Sequence, residues 1–207
     1  MSMNKVIHGA FRRDLDRFVG ALAAFRDGDT ARAAGLGRAW ENFDAQLTIH
    51  HEGEHDIAWP SLAKIGVSQE VLAQMDAEHE RMADALTKAR GAMSTFRTTA
   101  SGDDATTALT AVEHLRTVTV EHLQHEESET EDVYLANADG PEMKAMGKQF
   151  GKVSPAKGGQ FFAWVTDGAT PEERAAMTEN VPRPVLAIIG GIFGRGYRRD
   201  VAPVWRA

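Results

Sequence analysis

Cysteine is missing from this chain of 207 residues. Its absence excludes disulfides, thiolate zinc sites, iron–sulfur clusters and a cysteine nucleophile. Long hydrophobic runs are missing as well, because the longest near-candidate, VLAIIGGIF, is far shorter than the ~20 apolar residues that span a bilayer. Any metal site must therefore be built from histidine and carboxylate side chains, which suits iron, manganese or zinc.

Positive charge is also scarce, and the formal net charge is −7. A protein that binds nucleic acid needs a basic face for the phosphates, so this balance argues against that class. The N-terminal stretch MSMNKVIHGAFRRDL has no apolar core of the kind found in signal peptides. With 43% hydrophobic and 26% charged residues, the composition is that of a globular protein, and we expect it to be cytoplasmic.

Strand signals are nearly absent, whereas four long stretches show helical periodicity. The predicted helices cover about residues 5–26, 31–58, 69–98 and 104–137. Ser68 is the predicted N-cap of the third helix, and Pro60 is expected to stop the second. Long helices with short connections predict an all-α fold, an up-down-up-down four-helix bundle over residues 1–138.

Residues 139–207 are predicted to form a C-terminal helical extension packed on the bundle. TPEERAAM begins one of its helices, with Thr170 as the cap and Pro171 in the first turn. The last 25 residues hold five arginines and one aspartate, so this basic, apolar tail could touch a membrane surface. We do not expect membrane contact, and predict instead that the tail packs across the bundle. The residues expected to be buried there are Ile188, Ile189, Ile192 and Phe193.

The stretch HHEGEHDIAWP, residues 50–60, allows two incompatible interpretations. From His51 it spells H-E-x-x-H, the metalloprotease signature, whereas from His50 it places a histidine and Glu54 one helical turn apart. On a helix that turns ~100° per residue, His50 and Glu54 fall within roughly 40° of the apolar stripe, but His51 lies about 70° and His55 about 110° away. That stripe consists of Trp40, Phe43, Leu47 and Ile57. We therefore predict that His50 and Glu54 face the core and that the protease motif is coincidental.

The same arithmetic places one histidine on the apolar face of each of the other three long helices. These are His8, His79 and His122, and Glu126 shares the face of His122. Buried carboxylates without partners are costly, and bound cations are the natural compensation. His8 precedes His50 by 42 residues and His79 precedes His122 by 43, so the two halves repeat one pattern, H…HxxxE. A pseudo-twofold bundle would bring both HxxxE pairs to its centre, as a site for two metals requires.

This H…HxxxE…H…HxxxE arrangement resembles the hemerythrin-like family, the HHE cation-binding domains. The matching stretches are IHGAFRRDL, HHEGEHDIAWP, DAEHERM and EHLQHEE, and the resemblance covers residues 5–137. It implies a non-haem di-iron centre in a four-helix bundle, with two iron ions bridged by an oxo or hydroxo group. The implied ligands are His8 and His50 on one iron, His79 and His122 on the other, and Glu54 and Glu126 as bridges.

Two departures from the oxygen-carrying hemerythrins bear on the expected chemistry. Met75 stands where they have a further helix-three histidine, and their helix-four carboxylate occupies the place of Glu127 here. Helical phase favours Glu126, although a π-bulge would reverse that choice. Four terminal imidazoles would leave a second open iron position, which suits turnover better than carriage. We therefore expect a protein that handles O2, peroxide or NO, with catalase-like oxidoreductase activity if it is an enzyme.

Several alternatives stay open. A non-catalytic sensor of oxygen, NO or iron, or an iron-binding protein, would use the same ligand set. Glu129 and His125 are further candidate ligands near the helix-four face. A ferritin-like carboxylate site would need two Glu-x-x-His motifs, and here Glu52 with His55 has that spacing only on the polar side. The histidines expected to be solvated or to lie behind the ligands are His51, His55 and His114.

Overall fold

Four long helices form the centre of the computed structural model, which describes residues 1–206. They are α1 (Met3–Ala23), α2 (Thr30–Gly53), α4 (Gln69–Thr99) and α5 (Gly102–Ala136), and a short α3 (Trp59–Lys64) follows α2. Each long helix packs against two others, in the order α1, α2, α4, α5 and back to α1. This is an up-down-up-down four-helix bundle. The all-α prediction is confirmed, since residues 1–206 contain no strand.

Each long helix begins at a side chain that caps its first turn. The caps are Ser2, Asp29, Ser68 and Ser101, and each accepts a hydrogen bond from the backbone N–H three residues later. Such a cap stabilises a helix by about 1 kcal/mol. The predicted cap at Ser68 is therefore confirmed.

A π-helical turn, Glu54–Ala58, joins α2 to α3, and the backbone N–H of Trp59 donates to the carbonyl of Glu54 across it. A π turn holds one residue more than an α turn, so all later residues are rotated relative to the register of α2. The helical path continues through Pro60, which lies in the first turn of α3, where a missing N–H is tolerated. The predicted stop at Pro60 was therefore wrong.

The remainder of the chain consists of short helical elements. They are α6 (Pro141–Phe150), α7 (Pro155–Thr166), α8 (Pro171–Asn180), α9 (Arg183–Val185), a π-helical segment (Leu186–Phe193), α10 (Arg195–Asp200) and a 3-10 turn (Ala202–Arg206). Thr170 caps α8 in a capping box with Glu173, and Pro171 lies in the first turn as predicted. Both α7 and α8 contact α1, and the final turn contacts α2.

Trp164 of α7 fixes this extension to α1. Its fully buried ring packs on Phe11 with centroids 5.0 Å apart, and its Nε1 donates to Oδ2 of Asp14 at 2.7 Å. Asp14 is 1% exposed, and its other oxygen lies 3.1 Å from Nη1 of Arg17. Burial raises the pKa of Asp14, and the opposing effects of Arg13 and Trp164 do not cancel it.

The apolar residues near the C-terminus are more exposed than predicted. Ile188, Ile192 and Phe193 are 54%, 50% and 42% exposed, and Ile189 is half-buried. Their segment packs on α7, where Gly159 lies directly against Phe193 and Ile189. A helical segment laid on one helix leaves its far side open, so the predicted burial across the bundle was wrong. Within residues 1–206, none of the helices combines the length and apolarity needed to cross a membrane.

The raised pKa of Asp14 predicts a pH-dependent effect of its replacement. The folded state keeps a proton there at a pH where the unfolded chain has lost it, so the aspartate lowers stability above its folded pKa. That penalty fades as the pH falls toward the ordinary aspartate pKa of about 3.9. We expect the free energy of unfolding of the metal-free wild type, measured in urea, to rise relative to that of Asp14→Asn as the pH falls from about 7 to about 4. Asp16→Asn changes an exposed neighbour on α1 and is the control. If wild type rose by the same amount relative to Asp16→Asn, burial of Asp14 would not be the cause.

Candidate metal centre

Two groups of histidine and carboxylate side chains meet inside the bundle. In each group, one potential ligand atom per residue lies within 4.8 Å of the others. Site A consists of His8, His50, Glu54 and Glu126, and site B consists of His51, Glu54, His79 and His122. Because Glu54 belongs to both groups, the two sites share one carboxylate.

The two carboxylate oxygens of Glu54 face different sites. Oε1 lies 3.0 Å from Nε2 of His50 in site A, and Oε2 lies 3.3 Å from Nε2 of His79 in site B. Burial raises the pKa of Glu54, but the neighbouring imidazoles, His50 first, outweigh it and hold the pKa well below its usual range. The shared group is therefore an ionised carboxylate that is 2% exposed.

Among the described residues, six polar atoms at this centre have no hydrogen-bond partner. They are Nε2 of His8, His50 and His51, both carboxylate oxygens of Glu54, and Oε2 of Glu126. Nε2 of His50 and Oε1 of Glu54 are close, but they are not aligned as a hydrogen bond. Each buried polar group left without a partner costs about 1–3 kcal/mol. Such a concentration of donor atoms fits bound cations, which would supply the missing partners.

Further carboxylates hold the outer nitrogens of two rings. Nδ1 of His8 donates to Glu127 at 3.0 Å, and Nδ1 of His122 donates to Glu78 at 2.9 Å. Burial raises the pKa of Glu127, but His8 and Arg12 outweigh it and lower that pKa, so this carboxyl is an ionised acceptor. Because Nδ1 of each ring contacts an outer carboxylate, Nε2 of each ring faces the centre. In metal sites, such contacts fix the tautomer and orientation of the ring.

His8 in site A has a pKa shifted in the opposite direction to those of His51 and His122 in site B. Burial lowers the pKa of His8, but Glu126 outweighs it and raises that pKa well above the ordinary value. In site B, burial and then the nearby His79 lower the pKa values of His51 and His122. His51 and His122 are therefore neutral bases, the form in which imidazole binds a metal, whereas a cation that binds His8 would displace its proton.

The sequence model of the Hemerythrin HHE cation binding domain matches residues 5–132. The chain belongs to this family. Neither the comparison with curated proteins nor that with solved structures gave a match. All members of sites A and B lie inside the matched range, and the C-terminal extension lies outside it. The family and the two sites together fit a protein that binds a metal such as iron.

The HHE domain brings together all six residues predicted as ligands. His8 and His50 lie together in site A, and His79 and His122 lie together in site B. Glu126, and not Glu127, enters the centre, because α5 keeps α-helical register throughout. Oε2 of Glu126 lies 3.2 Å from Nε2 of His8 and 3.7 Å from Nε2 of His122. Its other oxygen accepts a hydrogen bond from Asn4 at 2.8 Å.

The further candidates on α5 contribute no atom to either site. Glu129 is exposed, and the half-buried His125 places Nδ1 3.0 Å from Glu78. His125 and His122 thus share one carboxylate at the edge of the centre. Sequence reasoning did not single out Glu78, although its place one residue before His79 and its charge are visible in the sequence.

His51 is the central residue that sequence reasoning misplaced. It was predicted to be solvated or to lie behind the ligands. Instead it belongs to site B, its Nε2 is buried, and its ring stacks on His79 with centroids 4.3 Å apart. The error came from Ile57, which the π turn displaces from the stripe. Without Ile57, the axis of the stripe passes between His50 and His51, about 50° from each.

The protease and ferritin-like interpretations both fail on α2. Glu52 is exposed, and the His55 side chain is 66% exposed, so neither reaches the centre. His55 instead places Nδ1 3.2 Å from Asp76, which also accepts a hydrogen bond from Nε1 of Trp59. The H-E-x-x-H letters therefore form no common site.

The position of Glu78 predicts its contribution to metal binding. Gln keeps one oxygen and replaces the other with an NH2 donor. One of the two rings, His122 or His125, would then lose its acceptor and must turn or change tautomer. We expect Glu78→Gln to lower the affinity for Zn²⁺ by about 10–100-fold, with changed ¹⁵N imidazole shifts of His122. Glu80→Gln, on the exposed side of the same turn, is the matched control. Unchanged shifts and affinity in Glu78→Gln would contradict an orienting role.

Proposed function

We propose that this HHE domain is a non-haem di-iron protein that handles O2, H2O2 or NO, with peroxide disproportionation as its reaction. One observation carries the proposal: the ionised, buried Glu54 has one oxygen toward each of two imidazole-containing sites. The mixture of imidazole and carboxylate donors suits iron. A bound pair of irons would supply the electron-transfer and ligand-exchange chemistry that these small molecules require.

The number of donors leaves room for a small molecule. Each site offers four donor residues, which is fewer than the roughly six positions of an octahedral ion. Asn4 holds one oxygen of Glu126, so this carboxylate has only its other oxygen free to bind. Met75 is fully buried among apolar side chains one turn before His79, and it adds no donor to site B.

Polar side chains connect the centre to the surface. Peroxide disproportionation reduces one H2O2 to water and oxidises a second to O2, so protons move between the two molecules. Glu78 accepts from Nδ1 of His122, which is 1% exposed, and from Nδ1 of His125, which is 31% exposed. Because Nε2 of His122 would bind the metal, this ring would not relay protons itself. Glu78 and the partly exposed His125 can take up and return protons at the edge of site B, which favours turnover over simple carriage.

A second candidate function is that of a sensor, and the contact between centre and extension favours it. The ring of Phe11 lies 5.1 Å from the ring of His50 on one side and 5.0 Å from Trp164 on the other. A change at site A would therefore reach α7 through one side chain. A sensor would show an altered extension on metal or gas binding, without consuming peroxide.

Metal analysis tests the two-metal centre. Protein loaded anaerobically with Fe²⁺ should bind two ions per chain and absorb below ~400 nm after exposure to O2. Glu54→Ala should weaken binding at both sites, because both share this carboxylate, whereas Glu52→Ala, an exposed neighbour, should leave it unchanged. One zinc per chain and no visible absorption would contradict the proposal.

Oxygen evolution tests the reaction. The iron-loaded protein should release one O2 for every two H2O2 consumed, and the metal-free protein should not. Glu78→Gln, compared at equal iron content, should be slower by roughly 10–100-fold because it removes the carboxylate that can take up and return a proton beside site B. Reversible O2 binding with peroxide left intact would refute the reaction. In that case, metal-dependent proteolysis of the extension would identify a sensor.

A further inference from the structure

We infer that His51 is a metal ligand, the third imidazole of site B, and that it gives sites A and B different metal preferences. The inference rests on the proposed two-metal centre and goes beyond it, because the ligand set predicted from the sequence contained no third imidazole at either site. Its basis is the geometry around His51.

Three imidazole rings surround one point in site B. The ring of His51 stacks on His79 at 25° with centroids 4.3 Å apart, and it meets His122 edge-on at 5.9 Å. Nε2 of His79 and Nε2 of His122 are 3.0 Å apart. In the metal-free chain this contact is a hydrogen bond between the two rings, and a cation bound at this point would take both Nε2 lone pairs instead.

The missing hydrogen-bond partner of Nε2 of His51 distinguishes this residue from an ordinary core histidine. A buried histidine in a hydrophobic core normally hydrogen-bonds its ring nitrogens. Over residues 1–206, buried Nε2 of His51 has no such partner, and one ring nitrogen of His51 lies within 4.8 Å of a potential ligand atom of every other member of site B. The ring of His79 also stacks on Trp59, with centroids 5.8 Å apart, so a second ring besides His51 holds its orientation.

The local sequence explains why α2 supplies this ligand. His50 and His51 are adjacent and straddle the core-facing axis of the helix, so one enters site A and the other site B while Glu54 lies between them. The face of α4 offers only His79 to site B, because Met75 one turn earlier packs with Trp59 in an apolar cluster. The HH dipeptide thus places one imidazole in each site.

The result is an unequal pair of sites. Site B has three imidazoles and one carboxylate, whereas site A has two of each. Imidazole-rich sites favour Co²⁺, Ni²⁺ and Zn²⁺, and carboxylate-rich sites favour Mn²⁺. Co²⁺ should therefore enter site B first and Mn²⁺ should prefer site A.

The first test counts imidazole ligands in the wild-type chain, so it does not depend on a variant that folds. In the protein loaded with two Co²⁺ ions, paramagnetic ¹H NMR should show five shifted, exchangeable imidazole N–H signals, from the two histidines of site A and the three of site B. Four signals would overturn the inference. Fewer than two bound Co²⁺ would instead refute the two-metal centre itself.

The second test is titration of variants with Co²⁺, followed by calorimetry and absorption. His51→Ala and the bulkier His51→Gln should weaken the tighter binding event by roughly tenfold or more and leave the weaker one. His8→Ala should do the reverse, and the exposed His55→Ala is the control. Two unchanged affinities in both His51 variants, with wild type binding two ions, would refute a role for His51 and leave the two-metal centre intact.

Discussion

A buried carboxylate without a hydrogen-bond partner in residues 1–206 constrains this structure more than any other group. Glu54 is ionised and almost fully enclosed, and its negative charge attracts imidazoles from all four long helices. Isolated, such a charge would be expelled or neutralised, because its transfer from water is costly. All four long helices contribute histidines around this charge, α2 to both sites and each of the others to one.

The polar layer lies between two apolar regions that hold it in place. One is the main core of the bundle, which includes Phe11 and Leu123, and the other is a smaller cluster with Trp59, Met75 and Tyr134. Aromatic rings from both regions touch histidines of the two sites, Phe11 on His50 and Trp59 on His79. Apolar packing thus fixes the positions of rings whose inner nitrogens have no partner among the described residues.

Helical periodicity predicted the bundle, and it predicted which face of each helix carries the six residues that meet at the centre. Both predictions depend on a regular turn of about 100° per residue. His8, His79 and His122 lie on regular helices, so their phase could be read directly. His51 was placed on the wrong face, because Ile57 was assigned an angle as if α2 continued without the π turn. A π turn leaves no clear mark in a single sequence. The exposure of Ile188 was missed for another reason: apolar residues predict burial, but not which element is available to cover them.

The π turn also separates two parts of the molecule that a continuous α-helix would lock together. It begins at Glu54 and ends before Trp59, so the spacing of His50 and Glu54 is set entirely upstream. An insertion or deletion of one residue within the turn would rotate Trp59 and α3 about the helix axis, but it would leave the spacing of His50 and Glu54 unchanged. The candidate ligands His50 and Glu54 and the ring that stacks on His79 can therefore change independently of each other, although they are close neighbours in the chain.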